Sequence, residues 1–275
     1  MASTADERTS GQVDPRGVPL SNQKEFWEAS QKIQPDSALA GYWDALQKNC
    51  DQWAVELTVA PFWKAVKERQ SIWSNDFQRK TSGALLANPG VPAFSAKKTK
   101  RVKEKLIHGW IRVGRPTDVT NFWPTTGPPV PLINDLVRTR IECQFLDGVE
   151  FFGMRLEELA AELGITCKRQ RQGRLVGYFA QHFCFTDTVI FRFGGGEQLA
   201  SIQCEVQIAT ALATRIWEES HRTYTEWRIQ ADEPEDWQWN PSDPRFTARQ
   251  LGHMIHLADG LLVQLRDSAQ KTDLA

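Results

Sequence analysis

The stretch ASIQCEVQIATALATRIWEESHRTY, residues 200 to 224, changes its hydrophobic period at Thr210. Before that point Cys204, Val206 and Ile208 alternate with Glu205 and Gln207, the period-two pattern of a strand with one apolar face. After it, Leu212, Ile216 and Trp217 recur at helical spacing, with His221 and Tyr224 one and two turns further on. A strand that runs straight into an amphipathic helix confines the chain to architectures in which helices cover a sheet. It also poses a chemical question, because a carboxylate and an amide share one strand face.

The rest of the chain supports the same class. Residues 1 to 22 carry Gly, Pro, Ser and Asp without apolar periodicity and are expected to be disordered. Residues 23 to 90 read as helical, with Pro61 in a first turn. Trp43, Trp53, Trp63 and Trp73 lie ten apart there; ten residues is not a whole number of helical turns, so they read as core anchors rather than as a repeat. From 91 to 230 a basic helix, "KKTKRVKEKLIHGWI", and a proline-rich connector, "PTTGPPVP", lead into alternating strands and helices. An acidic, proline-containing loop and a last helix at 245 to 268 fill residues 231 to 275. The predicted class is α+β, a mixed sheet of about five strands flanked by N-terminal and C-terminal helices.

Bulk properties exclude several functions. With a formal net charge of −1 over 275 residues, no global field recruits nucleic acid, and any basic site must be local. The five cysteines form no CxxC pair, so buried reduced thiols are expected rather than a zinc centre. No apolar run approaches the ~20 residues of a membrane span, and the polar N-terminus lacks the apolar core of a signal peptide, so a cytoplasmic location is expected.

Four segments hold polar groups where a plain core strand would not. Asp135 precedes a strand that contains Arg140; Arg174, Gly177, Tyr178 and His182 cluster before another; Glu205 and Gln207 share a strand face; and Lys97, Arg101 and Lys105 stand on the basic helix start. Together these are what phosphoryl transfer needs: carboxylates for Mg²⁺ and for a hydroxyl proton, cations for phosphates, and an aromatic face for a base. Singly, each also has a structural reading as a turn cap, a solvated basic face or a turn residue. Such a site is expected to be open to solvent.

In order and content these segments resemble the RelA/SpoT-type (p)ppGpp synthetase domain. The family pattern is a basic R-x-K…S…K segment, D-x-x-G-x-R, K-x-x-G-Y-x-x-x-H, then E-x-Q-I-R-T and a helix with W…H…Y. "DLVRTR" keeps the Asp and the last Arg, with Arg138 in place of a small residue. "RLVGYFAQH" keeps Gly177, Tyr178 and His182, and "EVQIAT" keeps Glu205 and Gln207 but has Ala209 for the family's Arg. In the first segment Lys97 and Lys105 match the family's lysines, while Ser95 and Arg101 replace its arginine and serine.

The resemblance implies a small, synthetase-only pyrophosphokinase that moves the β,γ-pyrophosphate of ATP to the 3′-hydroxyl of a guanine nucleotide. A member modifying adenine nucleotides or the 3′ end of tRNA, and a catalytically decayed binding protein, stay open as alternatives; so do a neutralising antitoxin and a homo-oligomer as partners. It implies catalytic roles for Glu205, Asp135 and Gln207, with Asp135 and Glu205 holding Mg²⁺. ATP would be bound by Lys97, Arg101, Lys105 and Arg140, and the acceptor by Arg174, Tyr178 and His182, with His221 and Tyr224 in support. The basic run "CKRQRQGR" would serve either free phosphates or a tRNA backbone.

Overall fold

A computed structural model of the chain describes residues 20–88, 90–114, 118–173, 177–227 and 236–273. The helical N-terminal region consists of α1 (Leu20–Ile33), α2 (Tyr42–Val59) and α3 (Pro61–Thr81). Pro61 opens α3 in its first turn, where the missing N–H has no partner to lose. Next come the two-residue strand β1 (Ser95–Ala96), α4 (Thr99–Arg112), β2 (Val137–Cys143) and α5 (Leu146–Glu162). The strands β3 (Cys167–Gly173), β4 (Phe179–Phe193) and β5 (Gly196–Thr210) follow, then α6 (Ala211–Trp227) and α7 (Pro244–Asp273). Residues 138 to 193, with their alternating patterns, fall close to the expected elements, and the segment "HFCFTDTVIFRF" lies within a single strand. The edge strand β1 was not anticipated, since two residues carry no period.

The sheet has five strands in the order β1-β2-β5-β4-β3. Only β2 and β5 run parallel; every other neighbouring pair is antiparallel. β4 and β5 form a hairpin closed by Gly194 and Gly195, with φ of 63° and 79°. Two consecutive positive φ values make a turn whose twist matches the strands, and glycine adopts them without a Cβ clash.

Alternation assigns the two sheet faces. Val137, Thr139, Ile141, Val206, Ile208 and Phe183 point to the main core, beneath α2, α3 and α5. Three of the four evenly spaced tryptophans, Trp53, Trp63 and Trp73, are buried, and Trp43 is packed at the core's edge. Two of the buried indoles have paired N–H groups. Trp53 donates to the Ile190 carbonyl at 2.8 Å and Trp63 to that of Pro92 at 3.1 Å, so their area is buried without stranding a donor. Among the described residues no helix is long and apolar enough to cross a membrane.

Candidate active site

The opposite sheet face carries the polar residues, and the strand register lines them up. In one cross-strand row Arg138 pairs with Glu205, Glu205 with Cys184 and Cys184 with Lys168. In the next, Arg140 pairs with Gln207 and Gln207 with His182. Parity alone therefore sets Glu205, Gln207, Arg140 and His182 on one surface.

Glu205 is the centre of this surface. Gln207 Nε2 donates to its Oε1 at 2.7 Å, and His182 Nδ1 lies 3.1 Å from its Oε2. The far nitrogen of His182, Nε2, is 2.9 Å from the Tyr178 hydroxyl. A carboxylate only accepts, so Nδ1 carries the imidazole proton and Nε2 accepts from Tyr178. The chain Tyr178–His182–Glu205 thus orients the carboxylate from behind. Burial pushes the Glu205 carboxyl up, but the His182 and Gln207 contacts together outweigh it and hold the group below the ordinary glutamate range, with Asp135 acting in the upward direction. The surface is not open to solvent as expected: Glu205 is only 6% exposed and Gln207 9%. The strand runs directly into α6, and α6 lies over the face that holds them.

Asp135 is buried just before β2 and meets two cations. Lys97 Nζ donates to its Oδ2, and Lys105 Nζ to its Oδ1 at 2.6 Å. β1 explains how Lys97 arrives there, because the Lys97 amide donates to the Leu136 carbonyl at 2.8 Å and so continues the β1–β2 ladder. Lys105 comes from the second turn of α4. Burial pushes the Asp135 carboxyl up, and Lys105 and Lys97 together pull it far below the usual carboxylate range. Lys97 is shifted down, chiefly by its own burial.

Other assigned residues go elsewhere. Arg101 pairs with Glu104 of its own helix at 2.9 Å and does not reach Asp135. Arg140 meets Glu218 of α6 at 3.0 Å and lines a cleft with Tyr178, away from the lysine pair. The run "CKRQRQGR" is split by strand alternation. Lys168 lies on the site face, whereas Arg169 and Arg171 turn to α5, where Glu150 takes both and Glu157 takes Arg169 at 3.0 Å. Arg174 lies outside the described residues, as do the side chains of His221 and Tyr224, although both stand on α6.

Several contributors escaped the sequence reading. The Tyr178 and Trp217 rings meet with centroids 4.5 Å apart. The cleft beside them is walled by α7 through Arg249, Gly252 and His256. α7 comes so close that a Cβ on Gly252 would sit 2.2 Å from the Gly177 carbonyl oxygen. Gly252, His256, Asp259, Val263 and Arg266 recur at helical spacing, but three of the five are polar or charged, so no apolar stripe marks this face in the sequence.

Among the described residues no group of three or more His, Cys, Asp or Glu side chains is placed to hold a metal ion. Asp135 and Glu205 are two carboxylates that act on one another electrostatically. The Asp135 charge pushes the Glu205 carboxyl up, a repulsion that a divalent cation would relieve. Two carboxylates suit Mg²⁺, which takes its other ligands from water and substrate phosphates.

The molecule is thus an α+β protein, a five-stranded mixed sheet with a buried carboxylate on its polar face and a helix-walled cleft beside it. Its fold is similar to that of solved small alarmone synthetases. A GTP pyrophosphokinase family protein from Streptococcus pneumoniae is 18% identical, with a TM-score of 0.49, covering 85% of this chain and 97% of that one. The small alarmone synthetase 1 from Bacillus subtilis, solved with its product pppGpp, is 16% identical, with a TM-score of 0.45, covering 80% of this chain and 100% of that one. The same B. subtilis enzyme bound to AMPCPP gives 18% and 0.42 over the same coverage. No protein-family model and no curated protein matches the chain.

Proposed function

We propose that the protein is an ATP-dependent pyrophosphokinase whose acceptor is a free guanine nucleotide. The observation that carries this reading is Glu205, a buried carboxylate oriented through His182 and Tyr178, within electrostatic reach of Asp135, which gathers Lys97 and Lys105. One half is suited to take a hydroxyl proton and the other to hold a triphosphate.

In the reaction the acceptor's 3′-oxygen bonds to the β-phosphorus of ATP, the bond from that phosphorus to the α,β-bridging oxygen breaks, and AMP leaves. The hydroxyl proton passes to Glu205, which is ionised at neutral pH because His182 and Gln207 bond to its charged form. Gln207 and His182 fix which carboxylate lone pair faces the acceptor. Lys97 and Lys105 exchange part of their contact with Asp135 for phosphate oxygens. Asp135 and Glu205 would hold Mg²⁺, which when bound supplies further charge compensation for the triphosphate.

The preference for a free nucleotide rests on Arg169 and Arg171. Their pairing with Glu150 and Glu157 on the α5 side breaks the basic run as a track for a polynucleotide backbone. The test incubates the protein with γ-³²P-ATP and, separately, GDP, GTP, AMP, ATP and deacylated tRNA. Label on GDP or GTP is the expected result, and Tyr178→Ala should lower acceptor use about ten- to a hundredfold through lost stacking. Label confined to tRNA, with a steep salt dependence, would overturn the acceptor choice; no AMP release with any acceptor would overturn the enzyme reading.

A further inference from the structure

Two buried polar atoms on the wall of the α6–α7 cleft have no hydrogen-bond partner in the protein: Thr214 Oγ1 and His256 Nδ1. Thr214 is 4% exposed and sits on α6, one turn before Trp217; His256 comes from α7, across the cleft. A buried polar group without a partner is costly, and native proteins leave few of them. Finding two on one cleft, from two different helices, points to a ligand that completes them.

The surroundings state its chemistry. The His256 ring is stacked on Phe179, with centroids 3.8 Å apart and planes 3° from parallel. This leaves the ring edge, with Nδ1, as its polar surface. Tyr178 and Trp217 line the same cleft, and Ala213 and Ile255 add apolar wall. Asp259, one turn beyond His256, is buried and close enough to act on it electrostatically, and Arg140 and Arg249 stand on the same cleft, where they can meet the phosphates of a nucleotide. Aromatic walls carrying two hydrogen-bonding atoms suit the polar edge of a nucleobase.

We propose that Thr214 and His256 form a base-edge subsite, so that α7 supplies part of the discrimination among acceptor bases. This deepens the pyrophosphokinase reading and rests on it for the identity of the occupant. Both atoms are shut from solvent, so the base enters as α7 draws back from Gly177. Entry then satisfies groups that the closed cleft leaves bare.

The experiment measures binding of GDP, inosine 5′-diphosphate and ADP by titration calorimetry to the wild-type chain, Thr214→Val and His256→Phe. Valine keeps the shape of threonine without its hydroxyl, and phenylalanine keeps the stack on Phe179 without Nδ1. Each variant should weaken the tightest-bound of the three about three- to tenfold and narrow the spread among them, because a single hydrogen bond is removed. The melting temperature of Thr214→Val should hold or rise, since a buried unpaired hydroxyl is gone. Wild-type affinities retained in both variants would overturn the subsite while leaving the phosphate chemistry standing. Affinity retained with a lowered melting temperature would assign the two residues to structure alone. A wild-type chain that binds none of the three would overturn the nucleotide-acceptor reading, and this inference with it.

Discussion

At the residue scale the site turns on one carboxylate. Glu205 accepts from Gln207 and His182, so its replacement tests chemistry and structure separately. In Glu205→Gln the oxygen that faces His182 survives, but the other position becomes an amide donor opposite the Gln207 donor. We expect turnover to fall at least a hundredfold and stability by about 1–2 kcal/mol, read by single-turnover AMP release and by urea titration. The stability difference has a defined pH dependence. The folded Glu205 carboxyl titrates below its ordinary value, so its contribution is complete above the unfolded value and fades as pH falls through the folded one. Wild type and variant should therefore converge only as pH falls well below the ordinary glutamate value. Unfolding of the variant at neutral pH would make Glu205 a structural residue first.

At the element scale α7 is the unexpected piece. Its inner face docks through Thr210, whose hydroxyl donates to Asp259 at 2.5 Å, and through Arg266, which reaches Asp147 at 2.7 Å from between the Phe77 and Phe145 rings. Burial raises the Asp259 carboxyl above its usual value despite the Thr210 bond. Its contribution to stability is therefore full below the unfolded value and is lost as pH rises through the folded one. Asp259→Asn can still accept from Thr210 and carries no charge to bury. Its melting temperature should exceed that of wild type at pH 7.5, with the gap closing by about pH 4; equal melting at both pH values would contradict this. Removing the other anchor acts in the opposite direction. Arg266→Ala should raise amide exchange along α7 while leaving β2, β4 and β5 protected, because those strands draw on a different core. Uniform loosening of sheet and helix would show that α7 belongs to the main cooperative unit.

At the scale of the whole molecule the two sheet faces divide the work. One, covered by α2, α3 and α5, holds the aromatic core and is polar chiefly at its β3 edge; the other is polar and holds the candidate site. Trp53, fully buried with its N–H paired to Ile190 across 137 positions of sequence, ties the helical N-terminal region to β4. Trp53→Ala should cost about 3–5 kcal/mol in urea unfolding, since a large side chain is lost and the Ile190 carbonyl loses its donor. A cost under 1 kcal/mol would mean that the helices and the sheet are only loosely joined.

By itself, the sequence determined the order of helices and strands from α2 to α7 except for the two-residue β1, the burial of three of the four evenly spaced tryptophans, and the placement of Glu205 with Gln207 on one strand face. The elements and the strand face follow from a period of two or 3.6, which is written into neighbouring residues, and the tryptophans from their large apolar area. It did not determine partners between elements. Arg101 and Arg140 carry the right charge for phosphate, yet Glu104 and Glu218 take them; Arg169 and Arg171 read as free cations, yet strand alternation turns them to Glu150 and Glu157. Nor could it announce that α7 closes over Gly177, because that contact joins residues 75 apart through a backbone approach that only two glycines permit. Such pairings depend on the sheet order and on where each crossover lands. Gln207 reaches Glu205 from its own strand, but His182 comes from β4, and Lys97 and Lys105 reach Asp135 from the end of β1 and from α4, so tertiary structure decided the rest of the site.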